Sequence, residues 1–375
     1  MEAEEPSPRR AGAAPRREGE ATEAPSDAPL PRPAPVPDLP GLDTLADRNE
    51  GSGFSTSGAG SRSDASQIAQ PPLLPESPRG SLLWRLRGML RTMRPQQWVK
   101  NTFVLAPVVF AKHLTDPVTL RSAGTAFGIF CLLAGAVYTL NDLVDAPADR
   151  VHPVKRHRPI ASGRVPVPAA KVLFGLLVVA ALGGAMLLPL AFAATAAAYF
   201  ALNLAYSFGL KKVAYVDVGC IAGGFVLRVL AGGFATHTPI SGFMIACTAL
   251  LALFLGFGKR RHELASENAS KQRAALSAYS PRALDLALAV TGLSAVATYV
   301  AYTVHPTTEA FFDSQSLWMT AIHPLLGVVR FLQLVGGRPK AESPTQEMLR
   351  DSPFVLNLVL WVVEVLFLVY HLRPA

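Results

Sequence analysis

The sequence is short of cysteine, of a second acidic cluster and, over long stretches, of charge of either sign. Its three cysteines, Cys131, Cys220 and Cys247, sit in apolar runs with no CxxC pair and no nearby histidine. That excludes a disulfide framework or thiolate metal site and leaves packing as their role. The opening residues, MEAEEPSPRR, are acidic and carry no apolar core, so neither a secretory signal nor an Arg-rich, acid-poor transit peptide is expected. Only 17% of the 375 residues are charged and 50% are hydrophobic, yet the net charge is +8. These averages conceal two different segments. Residues 1–80 hold 14 of the 31 prolines, 8 Lys and Arg, and 13 Asp and Glu, a net of −5; residues 81–375 keep 27 basic against 14 acidic side chains, a net of +13. A segment with that Pro/Ala/Ser/Gly/Glu bias cannot bury enough apolar surface to offset its ordering entropy, so 1–80 is expected to be a disordered acidic tail.

From Trp84 onward the apolar runs are too long and too frequent for a globular core. A helix crossing the ~30 Å hydrocarbon layer needs about 20 mostly apolar residues. Nine segments meet or approach that length: 97–112, 120–140, 168–187, 189–208, 216–234, 240–257, 284–303, 316–334 and 354–371. The first is interrupted by Lys100 and Asn101. The fold class is therefore all-α, a polytopic membrane protein of about nine transmembrane helices, with 81–375 as its membrane domain. Cations crowd the segment before the first helix (Arg85, Arg87, Arg91, Arg94), the loop after the second (Arg150 to Arg164) and the loop after the sixth (Lys259 to Arg282). Loops three-to-four and five-to-six have no Lys or Arg. The positive-inside bias then sets the amino terminus and the large loops in the cytoplasm of a cell with an inner (plasma) membrane, and the carboxyl end outside. Topology accounts for much of the basic balance, so no nucleic-acid partner is expected; a homo-oligomer is compatible with such a bundle.

The acids are harder to assign to topology. At 100° per residue, Asp142, Asp145 and Asp149 fall at about 0°, −60° and −20°, so one face at the end of the second helix carries three carboxylates. Like charges that close repel unless a multivalent cation neutralises them, and hard oxygen ligands suit Mg2+. Pro147, between Asp145 and Asp149, threatens this arc by removing a helix hydrogen bond. A cationic stretch follows, Lys155-Arg156-His157-Arg158-Pro159, whose guanidinium groups can grip phosphate in pairs. Acids for a metal beside cations for phosphoryl oxygens are what a diphosphate requires. Arg94-Pro-Gln-Gln97-Trp98-Val-Lys100-Asn101 puts a polar stripe on an otherwise apolar helix, and Lys100 should face the bundle rather than lipid. Tyr206-Ser-Phe-Gly-Leu-Lys211-Lys212 leads into Asp217, which needs a partner: Arg228, Lys211 or a second metal. Gly258-Lys259-Arg260 closes the sixth helix.

The Asn141-Asp142-x-x-Asp145-x-x-x-Asp149 motif, the Lys-Arg-x-Arg-Pro loop and the Tyr206…Lys211…Asp217 segment together resemble the UbiA-type intramembrane prenyltransferase superfamily, over about 95–371. Arg94-Pro-x-x-Trp98-x-Lys100-Asn101 and Gly258-Lys-Arg look most like its decaprenyl-phosphate phosphoribosyltransferase branch. The resemblance implies a UbiA-like helical bundle and a Mg2+-dependent pentosyltransferase of cell-wall biosynthesis. It would move 5-phosphoribose from 5-phosphoribosyl 1-diphosphate to a polyprenyl phosphate. By position, Asn141, Asp142, Asp145 and Asp149 would hold the metal and donor diphosphate, with Asp142 and Asp145 catalytic. Tyr138, Lys155, Arg156, Arg158, Lys259 and Arg260 would bind the donor; Lys100, Lys211 and Tyr206 would meet the acceptor phosphate; Asp217 would mark a second acidic site. Aromatic prenyltransferases of the superfamily carry a second aspartate-rich motif where this chain offers only Asp217. That favours a single diphosphate site over the alternative, transfer from a prenyl diphosphate to an aromatic or tetrapyrrole acceptor.

Overall fold

The computed structural model describes residues 81–265, 274–337, 347–348 and 350–370; the acidic tail assigned to 1–80 lies outside them. The described chain opens with α1 (Leu82–Thr92), started by Ser81, whose hydroxyl accepts from the Trp84 N–H. Arg94 then adopts a left-handed conformation (φ 52°) and turns the chain into a 3-10 helix over Pro95–Val104, followed by α2 (Ala106–Phe110). The long helix α3 (Pro117–Val151) is capped by Asp116, which accepts from the N–H groups of Val118 and Thr119, with Pro117 at its first position. The remaining long helices are α4 (Val167–Ala185), α5 (Leu190–Phe208), α6 (Val216–Thr236), α7 (Gly242–Ala265) and α8 (Pro281–Thr303). The short α9 (Pro306–Phe312) precedes α10 (Ile322–Gly337) and α11 (Ser352–Tyr370).

Eight described helices are long and apolar enough to cross a membrane, α10 counting with the 3-10 turn at Leu317–Ala321 before it. The departure from the nine segments read in the sequence is the first. Residues 95–110 still travel the length of the bundle, from Arg94, which pairs with Asp142 near the end of α3, to the opposite end. There Lys112 donates to the carbonyls of Phe311 and Phe312, and the Tyr370 hydroxyl to that of Val109. A 3-10 helix rises about 2 Å per residue, so ten residues cover roughly 20 Å. The crossing is thus made by a tightened helix and a short α-helix, and its polar interruption is where regular α-structure is lost.

Packing follows chain order, α3 against α4, α5 against α6, α6 against α7 and α7 against α8, and the 3-10 segment lies in the angle between α3 and α6. These last two helices are the most deeply enclosed; the other six present most of their surface outwards, as lipid-facing helices do. Gly232 of α6 makes the close approach of the 3-10 segment feasible, because a Cβ there would run into the carbonyl of Val104. Phe130, Phe192, Tyr199 and Leu133 fill the interior between α3, α5 and α6. A second apolar cluster, Phe312, Leu317, Val365, Leu368 and Val369, closes the end opposite Asp142.

Candidate active site

Two buried carboxylates and two arginines form the centre of the Asp142 end. Arg94 Nη2 lies 2.6 Å from Asp142 Oδ1, and Arg158 Nη1 lies 2.7 Å from Asp149 Oδ2 and 3.5 Å from Asp142 Oδ1. The side chains of Asp142 and Asp149 are 3% and 5% exposed, so each has an arginine and not water as its main partner. One guanidinium reaching both carboxylates requires that they share a face. The arc read from the sequence therefore survives Pro147: α3 runs unbroken to Val151, with Pro147 exposed on its outer side. Tyr138, one turn before Asp142, lies under Arg94, whose guanidinium carbon sits 5.0 Å from the ring centre. Asp145 is half-buried on the same helix end and makes no ion pair or hydrogen bond among the described residues.

The cationic loop divides in two. Arg158 turns in to the carboxylates, while Lys155 and Arg156 stand exposed on a 3-10 turn (Lys155–His157) at the mouth of the site. Arg164 anchors the loop to α1, donating to the Trp84 carbonyl at 2.9 Å and stacking over its ring. Lys100 follows Arg94 by six residues in the 3-10 segment and adjoins Asn101, whose amide oxygen accepts from Arg228 of α6. Lys211 is half-buried in the 3-10 turn Leu210–Lys212, and Tyr206 occupies the last turn of α5.

Asp217 belongs to a separate cluster. Its Oδ2 is 2.8 Å from Arg260 Nε, and its Oδ1 accepts from the Tyr279 hydroxyl at 2.5 Å. The same Tyr279 oxygen accepts the N–H of Tyr215, whose backbone is held at φ 66°. Asp217 and Arg260 are essentially inaccessible, and Arg260 also contacts Glu263. Burial and the bond to Asp217 push the Tyr279 phenol up, so it remains a donor at any working pH. Of the partners expected for Asp217, neither Arg228 nor Lys211 makes an ion pair with it; the cation it meets is Arg260, which is not among them. The pairing fastens the start of α6, the end of α7 and the start of α8 to one another. Sequence reasoning had no means of finding Tyr279, which lies 62 residues from its partner. In the sequence Arg94 reads as a topology cation and as part of a polar stripe and motif, none of which pairs it with Asp142; the left-handed turn at that residue aims it there.

Among the described residues no three His, Cys, Asp or Glu side chains converge closely enough to cage an ion by themselves. Mg2+ does not ask for such a cage: it takes one or two carboxylates and completes its octahedron with water and substrate phosphates. Asp142, Asp149, the unpaired Asp145 and the Asn141 amide oxygen offer hard oxygen donors at one helix end, beside cations for the phosphates, so the residues fit that ion.

The described chain is thus a bundle of membrane-length helices with two arginine-paired carboxylates buried at one end. Residues 102–349 match the model of the UbiA prenyltransferase family, and the chain belongs to that family. It is 34% identical over 284 residues to a decaprenyl-phosphate phosphoribosyltransferase of Mycobacterium tuberculosis (strain CDC 1551 / Oshkosh), covering 74% of this chain and 93% of the relative. A protein of the same name from Mycolicibacterium smegmatis is 39% identical over 221 residues, covering 57% of this chain and 69% of the relative. Another, from Corynebacterium glutamicum, is 31% identical over 291 residues, 76% and 87% of the two chains. Among solved structures, a UbiA homolog from Archaeoglobus fulgidus bound to DMAPP and Mg2+ superposes with a TM-score of 0.58 at 19% identity, over 76% of this chain and all of that one. The same homolog bound to GPP and Mg2+ gives 0.59 at 17% identity, over 75% and 99%.

Proposed function

We propose that the chain transfers 5-phosphoribose from 5-phosphoribosyl 1-diphosphate to a polyprenyl phosphate, releasing diphosphate, at the cytoplasmic face of the inner membrane with its amino terminus on that side. The observation that carries this reading is the acidic cluster of Asp142 and Asp149, joined through Arg158 with the cationic loop of Lys155 and Arg156 beside it. The three curated relatives bearing that activity's name support it. A prenyl diphosphate donor held between two acidic motifs is disfavoured because Asp217 is consumed by Arg260 and Tyr279.

In this reading Asp142 and Asp145, with Asn141 and Asp149, hold Mg2+ and the donor diphosphate; the metal, when bound, neutralises charge that develops on the leaving group. Lys155, Arg156 and Arg158 take phosphate oxygens of the donor, and Tyr138 supports Arg94 beside them. Lys259 assists from the end of α7, which Arg260 fixes through Asp217. The bond from C1 to the diphosphate oxygen breaks and the electron pair leaves with diphosphate, while a lipid phosphate oxygen bonds to C1. The acceptor is already an anion at neutral pH, so the site has to position it more than deprotonate it. Lys100, Lys211 and Tyr206 are the residues assigned to that phosphate. One displacement inverts C1 and gives a β-linked product. No Ser, Cys or His nucleophile is needed.

The test is incubation of membranes containing the full chain with Mg2+, labelled 5-phosphoribosyl 1-diphosphate and decaprenyl phosphate. Label should appear in an organic-soluble phosphoribosyl lipid. Absence of that lipid, together with turnover of a prenyl diphosphate onto an aromatic acceptor, would overturn the assignment.

A further inference from the structure

Arg228 pairs with none of the carboxylates described above, yet it is a buried cation deep in the bundle. It lies 12 residues beyond the start of α6, about 18 Å along the axis, and helical side chains lean back towards the amino-terminal end, here the Asp142 end. Its Nε donates to Asn101 Oδ1 at 2.8 Å, Nη1 to the Gly224 carbonyl at 2.9 Å and Nη2 to the Tyr199 hydroxyl at 2.7 Å. The guanidinium also stacks on Tyr199, 4.6 Å from the ring centre. Asn101 is fully buried and donates its own amide to Cys131 Sγ at 3.3 Å. Every one of these partners is neutral.

The hydrogen bonds are therefore met and the charge is not. Among the described residues no carboxylate pairs with Arg228 or with Lys100, the neighbour of Asn101, whereas Arg94 has Asp142 and Lys259 has Glu263 at 4.0 Å. An uncompensated cation at membrane depth costs more than neutral hydrogen bonds return, and residues kept in that state mark where an anion arrives. Asn101 is six residues into the 3-10 helix, about 12 Å from its start at the rise of such a helix. The uncompensated pair thus lies well below the Asp142 end. A water-soluble donor enters from that end; an anion fixed to a polyprenyl chain approaches from the bilayer.

We propose that Lys100 and Arg228 form a phosphomonoester subsite inside the bundle that holds the lipid acceptor's phosphate. Lys100 makes the contact, and Arg228 is the positioning residue that braces Asn101 and supplies the unneutralised charge. This rests on the transferase reading above, and the test separates the two. Purified full chain is assayed for direct binding of labelled decaprenyl phosphate, for binding of labelled 5-phosphoribosyl 1-diphosphate, and for the KM of each substrate. The informative variant is Asn101→Asp, which keeps the size and the bond to Arg228 but adds the missing counter-charge. Thermal stability should hold or rise while decaprenyl phosphate affinity falls at least about tenfold and donor affinity stays within about twofold. Arg228→Gln should cost acceptor affinity similarly, and Arg228→Lys should recover part of it. Unchanged acceptor affinity in a stable Asn101→Asp protein overturns the proposal. A selective loss of donor affinity overturns it also, assigning the subsite to the donor's 5-phosphate. Wild-type protein that binds decaprenyl phosphate without making product defeats the transferase reading alone, and the binding arm still decides the subsite.

Discussion

Asp217→Asn distinguishes a structural ion pair from a second metal site. Arg260 is 1% exposed and Asp217 not at all, so removing the carboxylate charge leaves a guanidinium buried without its main partner. Breaking a buried pair on one side typically costs about 3–5 kcal/mol. Glu263 still contacts Arg260, which points to the lower part of that range, about 3 kcal/mol, or roughly a hundredfold in the folded-to-unfolded ratio. The Tyr279 hydroxyl loses an acceptor as well, and with it the bond that steadies the strained Tyr215 backbone. Stability of the detergent-solubilised protein, followed by size-exclusion after a temperature series, should therefore drop sharply, while molecules that remain folded keep their Mg2+ dependence. The double variant Asp217→Leu/Arg260→Met, which removes both charges, should be more stable than either single change, because the desolvation cost disappears with the pair. An Asp217→Asn protein as stable as wild type, but needing far more Mg2+ for half-maximal activity, would refute the ion-pair reading and restore the second acidic site.

Three other expectations follow from the same geometry. Asp142→Asn and Asp145→Asn should each abolish nearly all transferase activity with the protein still inserted; ordinary turnover in both would remove the metal-site argument. A reporter fused ahead of Met1 and another after Ala375 should appear on opposite sides of the membrane, since the 3-10 segment and eight membrane-length helices lie between them, and a shared side would eliminate the 3-10 crossing. Deleting residues 1–80 should leave activity in isolated membranes within about twofold, measured by the same lipid-product assay, because every residue assigned a role lies beyond Trp84.

The eight regular spans were legible in the sequence because hydrophobic length is a local property: a run of about 20 apolar residues can satisfy its backbone in lipid only as a helix. The carboxylate arc of α3 was legible for the same reason, a fixed angle per residue. Pro147 shows where such a rule overstates its case, for the helix tolerates a proline whose ring faces outward and carries Asp149 into place beyond it. What could not be read were partners distant in sequence. Asp217 finds Arg260 and Tyr279, and Arg228 finds Asn101 from 127 residues away, through packing that no spacing encodes. The seat of the first crossing was hidden too, because its close approach to α6 depends on the room that Gly232 leaves on that helix.

That tightened crossing changes which side chains stand above one another. On an α-helix Gln97 and Asn101 would be near neighbours and Lys100 would sit off to one side; with three residues per turn, positions three apart eclipse. Gln97 and Lys100 then fall in one straight file, and Trp98, Asn101 and Val104 in the next, each step about 6 Å deeper. The buried Asn101 and Val104 show that the second file is the one pressed into the bundle. The polar side chains thus make a rail parallel to the axis, not a stripe that winds away from its target. A one-residue insertion just before Val99 would turn the lower half of that rail by about 120°, putting Val99 in the place of Lys100.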